Sequence, residues 1–272
     1  MEDLLLIFLI LATSAAAIYI FQNIFDIRIL NKNKNSILKI PFDKGILEKD
    51  KRGTAEAPKI LTDRGITVSV DPNNFEKTQK NIENAAINEY KRNKNVIGLG
   101  GDHSISYGLI KAFDKTFDNK ALIYFDAHPD CQDYFLPPTY ENVLRCVLED
   151  TKIYPKVLLI GTRDITNAEK KYLEEKNIKI YEKLDDLIDL IYGVENIYLS
   201  LDIDVLDPTY APGTGEPVNN GLTPKKLGEI IDILIYSKKI RGMDLVEFSP
   251  KLDKNNKTKK LATELLEKFL TL

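Results

Sequence analysis

The sequence predicts a three-layer αβα fold built on a mainly parallel eight-stranded sheet. Three observations carry that expectation. Beyond residue 36, short apolar runs alternate with longer amphipathic stretches, the pattern of repeated βαβ units. Most of the short runs are nearly continuous in hydrophobic residues, as parallel strands are when helices cover both faces. The acidic and histidine-bearing clusters follow directly on those runs, at the carboxyl ends where open parallel sheets bind ligands.

In chain order the candidate strands are ILKIPF (37–42), ITVSV (66–70), NVIGLG (95–100), ALIYFDA (121–127), VLLIGT (157–162), IKIYE (178–182), IYLSLDID (197–204) and IRGMDLVEF (240–248). Helical periodicity lies between them at 76–93, 166–177 and 223–237, and again at about 258–270. The third of these opens with Thr223 as N-cap and Pro224 at the first helical position. No internal repeat or interdomain linker interrupts the series, so residues 36–272 read as one domain.

Residues 1–35 stand apart. Leu4 to Phe21 form an apolar run of 18 residues broken only by Thr13 and Ser14, about the minimum for a membrane-spanning helix, and a polar spacer follows. Glu2 and Asp3 occupy the place of the positive region that a secretory signal needs, so an anchor is the better reading than a signal peptide; a buried segment of the main domain is the alternative. Arg28, Lys32 and Lys34 after the run predict that everything C-terminal of it is cytoplasmic. The 38 Lys and Arg against 41 Asp and Glu give a net charge of −3 with no basic stripe interleaved with aromatics, which argues against a nucleic-acid partner. Two cysteines, Cys131 and Cys146, have neither metal-like spacing nor a disulfide framework.

The chain has only two histidines, and both lie in acidic clusters: His103 in GGDHS, and His128 in DAHPD. With Asp126, Asp130, Asp202 and Asp204 they collect four carboxylates and two imidazoles at strand ends, with Asp102 and Asp207 as neighbours and Glu247 ending the last strand. So many carboxylates cannot share a pocket as bare charges at neutral pH. Bound cations resolve the conflict, and mixed O/N ligation without thiolates suits manganese and related divalent ions. Residues i and i+2 of a strand share a face, so Asp126 pairs with His128 and Asp202 with Asp204; six ligands suit two bridged ions.

The motifs GGDHS, FDAHPD and SLDIDVLDPTYAPGTGEPVNNGLT together closely resemble the ureohydrolase family, which includes the arginases and agmatinases. The likeness extends through IPFDKGILEKDKRGTAEAP, IGTRD and DLVEFSP and covers about residues 37–270. It implies an arginase-like fold and two Mn(II) per chain, one held by His103, Asp126, Asp130 and Asp202 and the other by Asp126, His128, Asp202 and Asp204, with Asp126 and Asp202 bridging. It further implies attack by a hydroxide that Asp130 hydrogen-bonds, reception of the substrate guanidinium by Glu247, release of urea and an amine, a place in polyamine biosynthesis for an agmatine-cleaving member, and a homo-oligomer, commonly trimer-based.

One departure stands out. Family members carry a proton-transferring His after DAHPD, where this chain reads PPTYENVLRC and places Tyr140. Tyrosine, with a reference pKa near 10, is a poor shuttle at neutral pH. A slower enzyme, another guanidino or formimino substrate (arginine, guanidinobutyrate, formiminoglutamate), or a metal-binding paralogue without catalysis all stay open. The loop from Cys131 to Glu141 has no Lys or Arg to pair with an α-carboxylate, which favours agmatine; Asp133 and Glu141 are the candidates to attract its distal ammonium.

Overall fold

The computed structural model describes residues 34–153, 156–181 and 183–272. The apolar run at 4–21, and with it the anchor expectation, lies outside them. Among the described residues no helix is long and apolar enough to cross a membrane.

All eight expected strands form: β1 (Asn35–Lys39), β2 (Ile66–Thr67), β3 (Asn95–Leu99), β4 (Lys120–Phe125), β5 (Val157–Ile160), β6 (Lys179–Ile180), β7 (Asn196–Asp202) and β8 (Ile240–Val246). They make one sheet of order β2-β1-β3-β8-β7-β4-β5-β6, and every pairing within it is parallel. The edge strands β2 and β6 are two residues long, shorter than the five-residue runs expected from sequence, and both are exposed. An edge strand has a neighbour on one side only, so apolar content there does not enforce long pairing, and short edges limit pairing with other chains.

The helices are α1 (Ala57–Leu61), α2 (Phe75–Lys91), α3 (Ser106–Thr116), α4 (Val143–Asp150), α5 (Asn167–Glu175), α6 (Leu184–Tyr192), α7 (Pro224–Tyr236) and α8 (Lys257–Phe269). Side-chain alternation along the strands sorts them into two layers. One face sends Ile97, Leu99, Ile123, Phe125, Leu199 and Met243 against Leu187 of α6, Ile231 of α7 and Phe269 of α8. The other sends Leu38, Val96, Leu122, Tyr124 and Tyr198 against Ile82 of α2, Phe113 of α3 and Val147 of α4.

Local sequence explains the helix starts. Thr223 accepts from Lys226 N at 3.2 Å ahead of Pro224, and Thr166 and Glu169 form a reciprocal capping box on α5. In α7 the buried Leu227, Ile230, Ile231 and Leu234 follow the i, i+3, i+4, i+7 spacing of one helical face. Truncating the fully buried Ile231 to Ala would cost about 2–5 kcal/mol.

A steric requirement fixes where β3 ends. A Cβ on Gly101 would sit 1.7 Å from the carbonyl oxygen of Phe42, so only glycine lets the chain pass there. Asp102 N then donates to that same carbonyl at 2.9 Å, which aims the next residue, His103, over the carboxyl edge of the sheet.

Candidate metal centre

β3, β8, β7 and β4 are consecutive neighbours in the sheet, and their carboxyl ends deliver the predicted residues to one place. After β3, Asp102 caps a short 3-10 turn beginning at His103; its other oxygen accepts Gly45 N at 2.6 Å and Ile46 N at 3.2 Å, tying the 43–46 loop to the site. Burial pushes this carboxyl up to about 6. After β7, Asp202 caps a second turn by accepting from Asp204 N at 2.7 Å. Asp130 and Glu247 both adopt left-handed backbone, with φ of 48° and 61°. Aspartate visits that region readily, but for Glu247 it costs about 1–2 kcal/mol, and such strain concentrates at functional sites.

His103 Nδ1 lies 2.9 Å from Asp126 Oδ2, 3.0 Å from Asp130 Oδ2 and 3.4 Å from Asp202 Oδ2. His128 Nδ1 lies 2.9 Å from Asp204 Oδ2 and 3.5 Å from Asp126 Oδ1. Two sets of donor atoms therefore converge: His103, Asp126 and Asp202, and Asp126, His128 and Asp204. Asp126 is common to both among the described residues. Asp202 joins the first set and abuts the second, its Oδ1 accepting from Asp204 N at 2.7 Å. Asp130 flanks the first set, its Oδ2 accepting from the Tyr124 hydroxyl at 2.6 Å.

The electrostatics describe a site short of positive charge. Burial, then Asp130 and Asp204, push Asp126 up to about 7; burial with Asp204 and Asp126 raises Asp202 well above the carboxylate range. Asp204 is held low despite its burial, because His128 and the Ala127 amide stabilise its charge. Burial alone would lower both histidines, yet the surrounding carboxylates raise His103 strongly and bring His128 up to about 12. Asp126 Oδ2 is fully buried and has no hydrogen-bond partner of acceptable geometry, although His103 is close by. An orphaned carboxylate oxygen amid like charges fits a divalent cation, and the hard oxygen and imidazole donors fit the manganese class.

A buried polar chain orients His103 from behind. Its Nε2 lies 2.9 Å from Ser200 Oγ, and Ser200 Oγ donates to Asp244 Oδ1 at 2.9 Å. Asp244 Oδ2 accepts from the Tyr198 hydroxyl at 2.8 Å. Tyr124 stacks on the imidazole with ring centroids 4.7 Å apart. Glu247 is buried, accepts from His103 N at 2.7 Å, and is raised well above its usual range by burial and by Asp102.

A narrow cavity of about 20 Å³ runs over the donor sets, lined by His103, His128, Asp130, Asp202, Asp204 and Glu247, with Lys51, Tyr140 and Glu216 at its mouth. It adjoins a wider one of about 170 Å³ that shares His128, Asp130, Tyr140 and Glu216 and adds Glu141. The Tyr140 hydroxyl lies 3.0 Å from Glu48 Oε2 and 3.2 Å from Glu216 Oε1. Asp133 lines neither cavity: its side chain is fully exposed and lies 3.4 Å from Arg145, so the expected ammonium-binding role has no geometric basis. The loop turns Asp133 outward because Asn142 engages the backbone carbonyls of Asp133 and Phe135. Cys131 and Cys146 are buried and free, with both thiols pushed up by burial, the opposite of an activated nucleophile.

The family model for the arginases matches residues 47–271. The chain belongs to the arginase family. The arginase of Bacillus subtilis (strain 168) is 32% identical over 199 residues, spanning 63% of this chain and 67% of that protein. The crystal structure of arginase from Bacillus subtilis superposes with a TM-score of 0.76 at 26% identity, covering 87% of this chain and 98% of the other. The agmatine ureohydrolase of Thermoplasma volcanium gives 0.74 at 26% identity, covering 88% and 89%. A formimidoylglutamase from Bacillus subtilis subsp. subtilis str. 168 gives 0.78 at 22% identity, covering 87% and 85%, and speaks for the fold alone. The arginase and the agmatine ureohydrolase bear the names of different substrates, so membership leaves the substrate to be argued from the pocket.

Two groups of site residues have no counterpart in the sequence reading. Ser200 and Asp244 are polar residues inside otherwise apolar strands, a legible signal of a buried partner. Glu48, Lys51 and Glu216 come from loops, where no periodicity marks which side chains turn inward.

Proposed function

We infer that the protein is a binuclear manganese hydrolase that cleaves a guanidino C–N bond to give urea and an amine, with agmatine as the favoured substrate. The observation that carries the substrate class is the charge of the pocket. Glu247 lines the narrow cavity, Glu141 the wider one and Glu216 both, Glu48 accepts from the Tyr140 hydroxyl beside them, and Lys51, among the described residues the one Lys or Arg lining either cavity, is already paired with Glu48 at 3.0 Å and Glu216 at 2.5 Å. A substrate positive at both ends fits this lining better than one ending in a carboxylate.

His103, Asp126, Asp130 and Asp202 would hold one ion, and Asp126, His128, Asp202 and Asp204 the other. When bound, the ion pair supplies an acidified water and positive charge beside the reacting carbon. The Glu247 carboxylate seats the guanidinium through charge-assisted hydrogen bonds, and the incoming cation relieves the burial that disfavours its ionised form. Asp130, held by Tyr124, accepts a proton from the attacking water and returns it to the leaving nitrogen, so that the C–N bond breaks toward a neutral amine. The Ser200–Asp244 chain fixes the His103 ring throughout.

The test is urea release, or formamide for the formimino compound, by manganese-loaded protein on agmatine, arginine, guanidinobutyrate and formiminoglutamate. Turnover greatest on agmatine is expected. Turnover of none of the four, with manganese bound, would favour a metal-binding paralogue, the alternative that Tyr140 in place of a histidine keeps in view.

A further inference from the structure

Glu216 is the residue common to both cavities that does not belong to the ion-binding region or to the Tyr140 loop. Its loop is fastened by Arg163, whose guanidinium donates to Gly161 O at 2.9 Å, Asp204 O at 2.8 Å, Val218 O at 2.7 Å and Asn219 O at 3.1 Å. The carboxylate is thus presented from a fixed backbone. Its Oε1 receives the Lys51 ammonium and the Tyr140 hydroxyl, while Oε2 lies 4.0 Å from His128 Nε2.

Three carboxylates, Glu48, Glu141 and Glu216, gather around the Lys51 ammonium at this mouth, so acidic groups outnumber the lysine they share. Glu141 registers the excess: burial, then Glu48 and Glu216, hold its carboxyl above the usual range. The group that satisfies Glu48 and Glu216 here is a primary ammonium on an alkyl chain, borne by the half-buried Lys51 at the end of the exposed turn at 48–50. An alkylammonium entering through the wider cavity meets Glu216 at the point where that cavity joins the narrow one over the donor sets.

We propose that Glu216 is the specificity-determining carboxylate of this pocket, selecting linear guanidines that end in a primary ammonium, with Lys51 as the internal ammonium that such a substrate displaces. The proposal rests on the guanidine-hydrolase reading above and adds the residue that reads the far end of the substrate. Two opposed consequences follow. Neutralising Glu216 weakens the preference for an ammonium-ended ligand, whereas removing the Lys51 charge strengthens it.

The experiment compares manganese-loaded wild type, Glu216→Gln and Lys51→Met in two ways: kcat/KM on agmatine against butylguanidine, and calorimetric binding of 1,4-diaminobutane against butylamine. The preference for the ammonium-ended member is expected to fall about tenfold in Glu216→Gln, the scale of a partly desolvated charge pair, and to rise in Lys51→Met. The same preference in wild type and Glu216→Gln by both readouts overturns the proposal. Should Glu216→Gln fail to fold, a preference that does not rise in Lys51→Met overturns it as well. Absence of urea from either guanidine, with the diamine preference still lost in Glu216→Gln, sinks the hydrolase reading and leaves the role of Glu216 standing. Urea release with an unchanged preference does the reverse.

Discussion

Ser200 Oγ lies 2.9 Å from His103 Nε2 and donates to Asp244, so the imidazole donates from Nε2 and its Nδ1 faces Asp126, Asp130 and Asp202, where the carboxylates favour a cation, a proton in the metal-free chain. A ring nitrogen facing three carboxylate oxygens becomes a ligand set once a divalent cation replaces that proton. Partners of this kind typically matter 10–100-fold to metal affinity. Ser200→Ala is therefore expected to weaken manganese binding by about that factor, measured by metal titration. Affinity equal to wild type would remove the orienting role.

The same crowd of charges predicts how manganese stabilises the fold as pH changes. In the metal-free chain Asp126 is pushed up from 3.8 to about 7, so its folded form keeps a proton that an unfolded aspartate has lost. Its contribution to stability is complete below about 4 and disappears as pH rises through about 7. His128, raised from 6.5 to about 12, loses its contribution across the next window in the same direction. Manganese takes the place of those protons. The rise in Tm on adding manganese should grow between about pH 5 and pH 8; a rise that is flat or shrinks over that range contradicts the assignment.

Tyr140 is raised further above the tyrosine range by burial and by Glu216, so its phenol stays protonated at working pH. Its hydroxyl serves Glu48 or Glu216 as a hydrogen-bond donor. One such bond is worth about 0.5–1.5 kcal/mol, so Tyr140→Phe should lower kcat by less than about tenfold and leave the pH–rate profile in place. A loss of about a hundredfold or more with an altered profile would make the hydroxyl a proton donor.

The eight strands and the residues at their ends were readable because each strand is a short, nearly unbroken apolar run with a conspicuous polar stop. His103, Asp126, His128, Asp130, Asp202, Asp204 and Glu247 all fall at such stops, and the all-parallel order gathers them on one edge. The mouth of the pocket was far less legible. Asp133 and Glu141 sit in one loop, yet Asp133 faces solvent and Glu141 lines the cavity, a choice made by Asn142 and the backbone rather than by residue type. Lys51 escaped notice because the loop at 131–141 holds no cation and the residue arrives from 80 positions upstream of that loop. The apolar N-terminus lies beyond the described residues and takes no part in this comparison.

The most direct test of the central claim is manganese stoichiometry by equilibrium dialysis of wild type, Asp204→Ala and Asp126→Ala. Asp126 belongs to both donor sets and Asp204 to one. The account predicts two ions per chain in wild type, about one in Asp204→Ala and fewer than one in Asp126→Ala. One ion or none in wild type, or both ions retained by Asp126→Ala, would contradict it.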